Sequence, residues 1–153
     1  VLSVCQVLGL DLQSIEKQYK IQFNLNTFSK PNAKAFELII HHLLSQLDPE
    51  KAQRVFNTCW PCYIKDQQKE FKEVIFSWLS DLSMNTRQNT KQNSMEKPTP
   101  TQLLQHQFHS MLQSIKIPPI TKSLLLSPGG LKVCELLFNI SHYVVLINII
   151  KLS

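Results

Sequence analysis

Residues 35–48 read AFELIIHHLLSQLD, within a stretch running from Asn32 to Leu47. Its apolar residues Phe36, Ile39, Ile40, Leu43, Leu44 and Leu47 recur every three or four positions, a wide stripe down one side of a helix. A strand would alternate, and this segment does not. Asp48-Pro49 follows: an aspartate suited to cap a helix and a proline suited to its first position. The next helix therefore opens at once, with Ala52, Val55 and Phe56 inward. Trp60-Pro61 stops it, because proline has no N–H for the ladder and restrains the residue before it.

The same spacing extends in both directions. Asp66 starts a helix with Phe71, Val74, Ile75, Trp78, Leu79 and Leu82 on one side. Lys65, Lys69 and Lys72 take its outer face, with Glu70 and Glu73 between them. Upstream, Val1, Val4, Cys5 and Leu8 make an apolar face ended by Gly9, a helix-stop residue. Asp11 then caps a short helix with Leu12, Ile15 and Tyr19 inward, and 21–28 is irregular. Downstream, Thr101 is expected to cap a helix that turns Leu104, Phe108, Met111, Leu112 and Ile115 inward and ends at Pro118-Pro119. Ser127-Pro128 reads as an N-cap with proline at N1. The helix it opens, through Leu131, Cys134, Leu137, Phe138, Ser141, Val144 and Val145, is apolar on nearly every side and is expected at the centre. Residues 84–100 have no apolar period and are rich in Asn, Gln, Thr and Lys, which predicts a disordered insertion.

Composition agrees with this pattern. At 153 residues the chain is sized for one domain, since domains run to roughly 100–200 residues. Its 43% hydrophobic content supplies a core, and only 3 glycines argue against a many-turned β-sandwich or a Gly-rich phosphate-binding barrel. The expectation is one all-α domain over residues 1–153. The start at Val1 and the stop just after the apolar run Tyr143–Ile150 suggest a fragment of a longer chain. The last run holds Glu135, Asn139, His142 and Asn148 between Val133 and Ile150, too much polarity for a lipid-facing helix. The opening VLSVCQVLGLDLQ lacks a positive n-region and a small-residue cleavage site, so no secretory signal is read. Cys5, Cys59, Cys62 and Cys134 are then expected as free, mostly buried thiols in a reducing compartment.

Catalytic chemistry finds little footing. Cys59-Trp60-Pro61-Cys62 has the spacing of a redox dithiol, but it follows a helix. Cys59 would sit at the electronegative C-terminal end, which raises a thiol pKa. A helix stop with Trp60 packed as an anchor is the preferred reading. Zinc would need two ligands beyond Cys59 and Cys62. His41 and His42 are adjacent and point to different sides of a helix. His106 and His109 have no second cysteine pair beside them. Ser127-Pro128-Gly129-Gly130 with Lys132 lacks the spacing and the strand of a phosphate loop, so its glycines are assigned to close backbone approach. No nucleophile elbow, zinc-protease motif or carboxylate pair is present. No enzyme, cofactor or metal is predicted.

Charge points to a docking role. The formal net charge is +5. Between Met84 and Ser123, Arg87, Lys91, Lys97, Lys116 and Lys122 stand against Glu96 alone, so that stretch carries most of it. A basic segment on a near-neutral body suits an anionic partner. A DNA-reading helix studded with Arg and Asn is missing, and lysines suit a smooth acidic surface as point charges.

The runs AFELIIHHLLSQLD, VFNTCWPCY, EFKEVIFSWLSDLS and SLLLSPGG resemble the N-terminal domain of the augmin subunit-six family, from the Val1–Leu8 segment to Tyr143. Phe56 with Cys59-Trp60-Pro61, and the block Leu124–Gly130, carry most of the likeness. Cys62 stands where a second proline is usual in the family, and 84–122 is longer than usual. The resemblance implies a calponin-homology-like helical fold continuing into coiled coil elsewhere. It implies pairing with subunit seven and the other augmin subunits, binding to the side of a microtubule, and recruitment of the γ-tubulin ring complex through the rest of the protein. It implies a place on the mitotic spindle and centrosome, in the cytoplasmic cytoskeleton. Neither nucleic acid nor membrane is implied as a partner. Tubulin contacts are expected at Lys65, Lys69, Lys72, Arg87, Lys91 and Lys97. Two alternatives stand beside this: a pure subunit-pairing module without direct microtubule contact, and a dithiol enzyme at Cys59 and Cys62.

Overall fold

A computed structural model describes Gln6, residues 8–88 and residues 99–152. Among the described residues there are seven helices and no strand, as an all-α fold requires: α1 (Leu12–Tyr19), α2 (Ala33–Leu47), α3 (Pro49–Phe56), α4 (Lys65–Gln88), α5 (Pro100–Ser114), α6 (Lys122–Leu126) and α7 (Gly130–Leu152). The expected helix over Val1–Leu8 lies largely outside the described residues.

The helix starts follow local chemistry. Asp11, Asn32 and Asp48 each accept a backbone N–H of the first turn, from Ser14, Ala35 and Lys51. Such a cap is worth about 1 kcal/mol. Pro49 stands at the first turn of α3, where its missing N–H costs nothing. The stripe read from α2 is fully buried, with Ile39, Ile40, Leu43 and Leu44 at 0% exposure. It meets Val133, Leu136, Leu137, Ile140 and Val144 of α7, buried in the same core. α3 packs on α2, α4 on α3, α6 on α4, and α5 on the flank of α7.

Backbone bonds fix how α2 and α7 run. Just ahead of both helices, Asn32 N–H donates to Pro128 O at 2.9 Å and Gly130 N–H donates to Phe28 O at 2.7 Å. At the far ends, Lys151 Nζ donates to Leu47 O at 3.0 Å, a cation on the negative end of α2. The two helices therefore run in the same direction, joined at both ends. The glycines at this joint are there for geometry. A Cβ on Gly129 would lie 2.8 Å from Pro31 N and 2.9 Å from Pro31 Cα, both backbone atoms that cannot swing away. Gly130 has φ of 73°, a left-handed conformation.

Five expectations need correction. Ser127-Pro128 does not open α7: Ser127 closes α6, and the carbonyl of Pro128 is taken up by Asn32. Residues 84–88, assigned to the insertion, are helical. The strap 115–121 crosses the end of α4, where Ser83 Oγ donates to Ile117 O, Thr86 Oγ1 accepts Ile117 N–H, and Lys116 Nζ donates to Thr86 O. Thr86 is buried there. Residues 89–98 lie outside the described part. α5 is capped by Thr99, not Thr101, with Gln102 closing a capping box. Nor does α5 bury its apolar face: Leu104 and Met111 are 58% and 53% exposed, because the helix leans on one neighbour at the edge.

The last correction concerns α7. By length and composition it is apolar enough to cross a bilayer. In the fold it lines the core along one side only. Leu131, Cys134 and Phe138 point outward, while the buried stripe follows Val133, Leu136, Leu137, Ile140 and Val144.

Gly129→Ala is expected to destabilise the chain by about 1–3 kcal/mol, the usual cost of overpacking, as read by urea denaturation. An unchanged midpoint would show that the Pro31 backbone yields.

Candidate interaction surface

The Cys-Trp-Pro-Cys turn works as an anchor. Trp60 stacks on His41, ring centroids 4.0 Å apart and planes 10° apart. Phe56 and Phe71 close around them, and Trp78 lies beyond Phe56. Both thiols are buried and free, with Cys62 Sγ donating to Cys59 O. Burial, then the Glu70 carboxylate, pushes the Cys59 thiol up. Burial pushes Cys62 up to about 12, with Glu37 adding to it. A dithiol catalyst needs an accessible thiolate, and these features suppress one. Both features favour the anchor reading of this turn. Among the described residues no three His, Cys, Asp or Glu side chains converge to hold a metal.

Two of the lysines predicted on α4, Lys69 and Lys72, edge a groove of about 340 Å³ between α4 and α6. One wall carries Lys69, Lys72, Glu73 and Phe76; the other carries Lys122, Leu125 and Leu126. Three ammonium groups thus surround an apolar floor. Lys122 Nζ stands 5.5 Å from the Phe76 ring centroid, and Leu126 is 69% exposed. Behind this wall Glu37 is buried on α2. Its carboxyl is pushed up by burial and drawn back by Lys34 and Lys72. Lys34 Nζ reaches within 3.7 Å of it.

The predicted contact residues do not all meet. Lys69 and Lys72 line the groove, and Lys65 is exposed one turn before Lys69. Arg87 lies on the same face of α4 as Lys69 but about 27 Å along its axis, at 1.5 Å per residue. Lys91 and Lys97 lie outside the described residues. Sequence reasoning missed Lys122, Phe76 and Leu126 as groove residues. Their signal was the short KSLLL segment, whose Thr121 N-cap fixes α6 and turns Lys122 towards Phe76.

The structure is thus a helical scaffold with buried free thiols and a lysine-rimmed apolar groove. Residues 1–97 match the family described as HAUS augmin-like complex subunit 6 N-terminus, and the chain belongs to that family. It is 36% identical over 81 residues to the HAUS augmin-like complex subunit 6 of Danio rerio, covering 52% of this chain and 10% of that protein. To the Homo sapiens protein of the same name it is 25% identical over 120 residues, covering 78% of this chain and 10% of that protein. The chain thus matches about a tenth of the length of these curated relatives.

The His41–Trp60 stack sets an acid limit. Burial, with help from the neighbouring His42, lowers the His41 pKa from 6.5 to about 4. The neutral ring contributes fully above pH 6.5, and its contribution is lost as pH falls toward 4. The loss is on the order of 2 kcal/mol once partial solvent access is discounted. Glu37 acts oppositely: its raised carboxyl loses stability as pH climbs above 4.5. His41→Phe keeps the stack without the titration. Urea melts at pH 7 and pH 4.5 are expected to show a smaller acid loss for His41→Phe than for wild type; equal losses would place the sensitivity elsewhere.

Proposed function

We propose that the chain is a non-enzymatic docking domain of an augmin complex, binding the side of a microtubule through the Lys65–Lys69–Lys72 face with Lys122. The observation that carries this reading is the cluster of three lysines around the α4–α6 groove. An acidic tubulin surface is the complementary charge. Arg87, Lys91 and Lys97 add to the long-range attraction. The domain pairs with subunit seven, a second calponin-homology-like chain, and the remaining protein engages the other augmin subunits and the γ-tubulin ring complex. In that setting it serves branching microtubule nucleation and spindle assembly, at the spindle and centrosome.

A pure pairing module is the second reading. The observation favouring it is the open apolar side chains of α5 and α7: Leu103, Leu104, Met111 and Phe138. Exposed apolar residues of this size mark protein contacts.

Co-sedimentation with microtubules separates the two. Lys65→Glu, Lys69→Glu and Lys72→Glu together are expected to weaken binding by about tenfold or more, and salt to weaken the wild type progressively. A wild-type chain that does not pellet would favour the pairing reading, and pelleting that ignores both changes would remove the lysine face as the contact.

A further inference from the structure

We infer that the α4–α6 groove takes an acidic peptide segment in which one large apolar side chain is flanked by carboxylates. This rests on the docking reading above and names the chemistry of the ligand. Lys69 and Lys72 on one wall and Lys122 on the other leave the apolar floor between cations. Leu126 is 69% exposed, whereas its neighbour Leu125 is 4% exposed and holds α6 in place. The groove therefore offers a leucine surface that the fold itself does not use. A volume of about 340 Å³ suits a side chain and its flanking backbone. Glu73 on the rim repels an unbroken run of acids and favours an uncharged residue beside it.

The same geometry disfavours a nucleic acid. Base stacking needs an open aromatic face. The Phe76 ring already carries the Lys122 ammonium. The groove cations are lysines, without the planar fork that clasps phosphate.

Fluorescence anisotropy with the full chain tests this. The probes are a labelled glutamate-rich peptide with a central phenylalanine and its twin with glycine at the centre. The phenylalanine peptide is expected to bind about tenfold tighter, from burial of the ring against Leu126. Leu126→Ser is expected to remove most of that margin and leave the glycine twin unchanged. Lys122→Glu is expected to weaken both. Leu126 is exposed, and circular dichroism checks that the fold survives. Equal affinity for the twins, or a margin indifferent to Leu126→Ser, would overturn the inference. Microtubule pelleting of wild type distinguishes the two claims. Peptide discrimination without pelleting upholds the groove and removes tubulin as its partner; pelleting without discrimination overturns the groove and leaves tubulin binding standing.

Discussion

The seam between α2 and α7 is the constraint on which the rest of the structure hangs. Ile39, Ile40, Leu43 and Leu44 are shut off from water, as are Val133, Ile140 and Val144 opposite them. Each such side chain contributes roughly 1.5–3 kcal/mol when fully buried. The seam is joined at one end by the paired bonds of Asn32 with Pro128 and Gly130 with Phe28, and at the other by Lys151 on Leu47 O. α3 and α4 are then laid against α2 in sequence, and the aromatic cluster of His41, Phe56, Trp60, Phe71 and Trp78 fills their junction.

The α4–α6 groove is built on this scaffold without being part of it. α4 buries Phe71, Ile75, Trp78 and Leu79 inward, which leaves Lys69 and Lys72 to face out. α6 is only five residues long and is held by one buried residue, Leu125. That economy frees Lys122 and Leu126 for the surface. Glu37 links the two regions: burial pushes its carboxyl up, and Lys34 and then Lys72 of the groove wall partly offset that rise.

What could be read in the sequence was what local spacing and capping decide. The α2 stripe, the Asp11 and Asp48 caps, and the inward face of α4 follow from residues a few positions apart. The redox motif at Cys59 was discounted for a local reason, its place after a helix, and burial of both thiols agrees. What escaped was decided by distant partners. Ser127-Pro128 has every local mark of a helix start, yet Asn32, far away in the chain, claims the Pro128 carbonyl. Residues 84–88 look structureless alone and are held helical by the strap at 116–117. α5 has an apolar face with few neighbours to receive it. Half of the groove was legible in the α4 lysines; Lys122 and Leu126 belong to it only because α6 folds back against α4.

The seam holds the fold together, and the groove lysines lie outside it. Native-state hydrogen exchange on wild type and on a Lys69→Glu, Lys122→Glu variant tests it most directly, since both lysines lie on the groove rim. The account expects the amides of Ile39–Leu44 and Val133–Val144 to be the slowest in the chain and equally protected in both proteins. Loss of that protection in the variant would contradict it, by showing that the groove lysines hold the fold together.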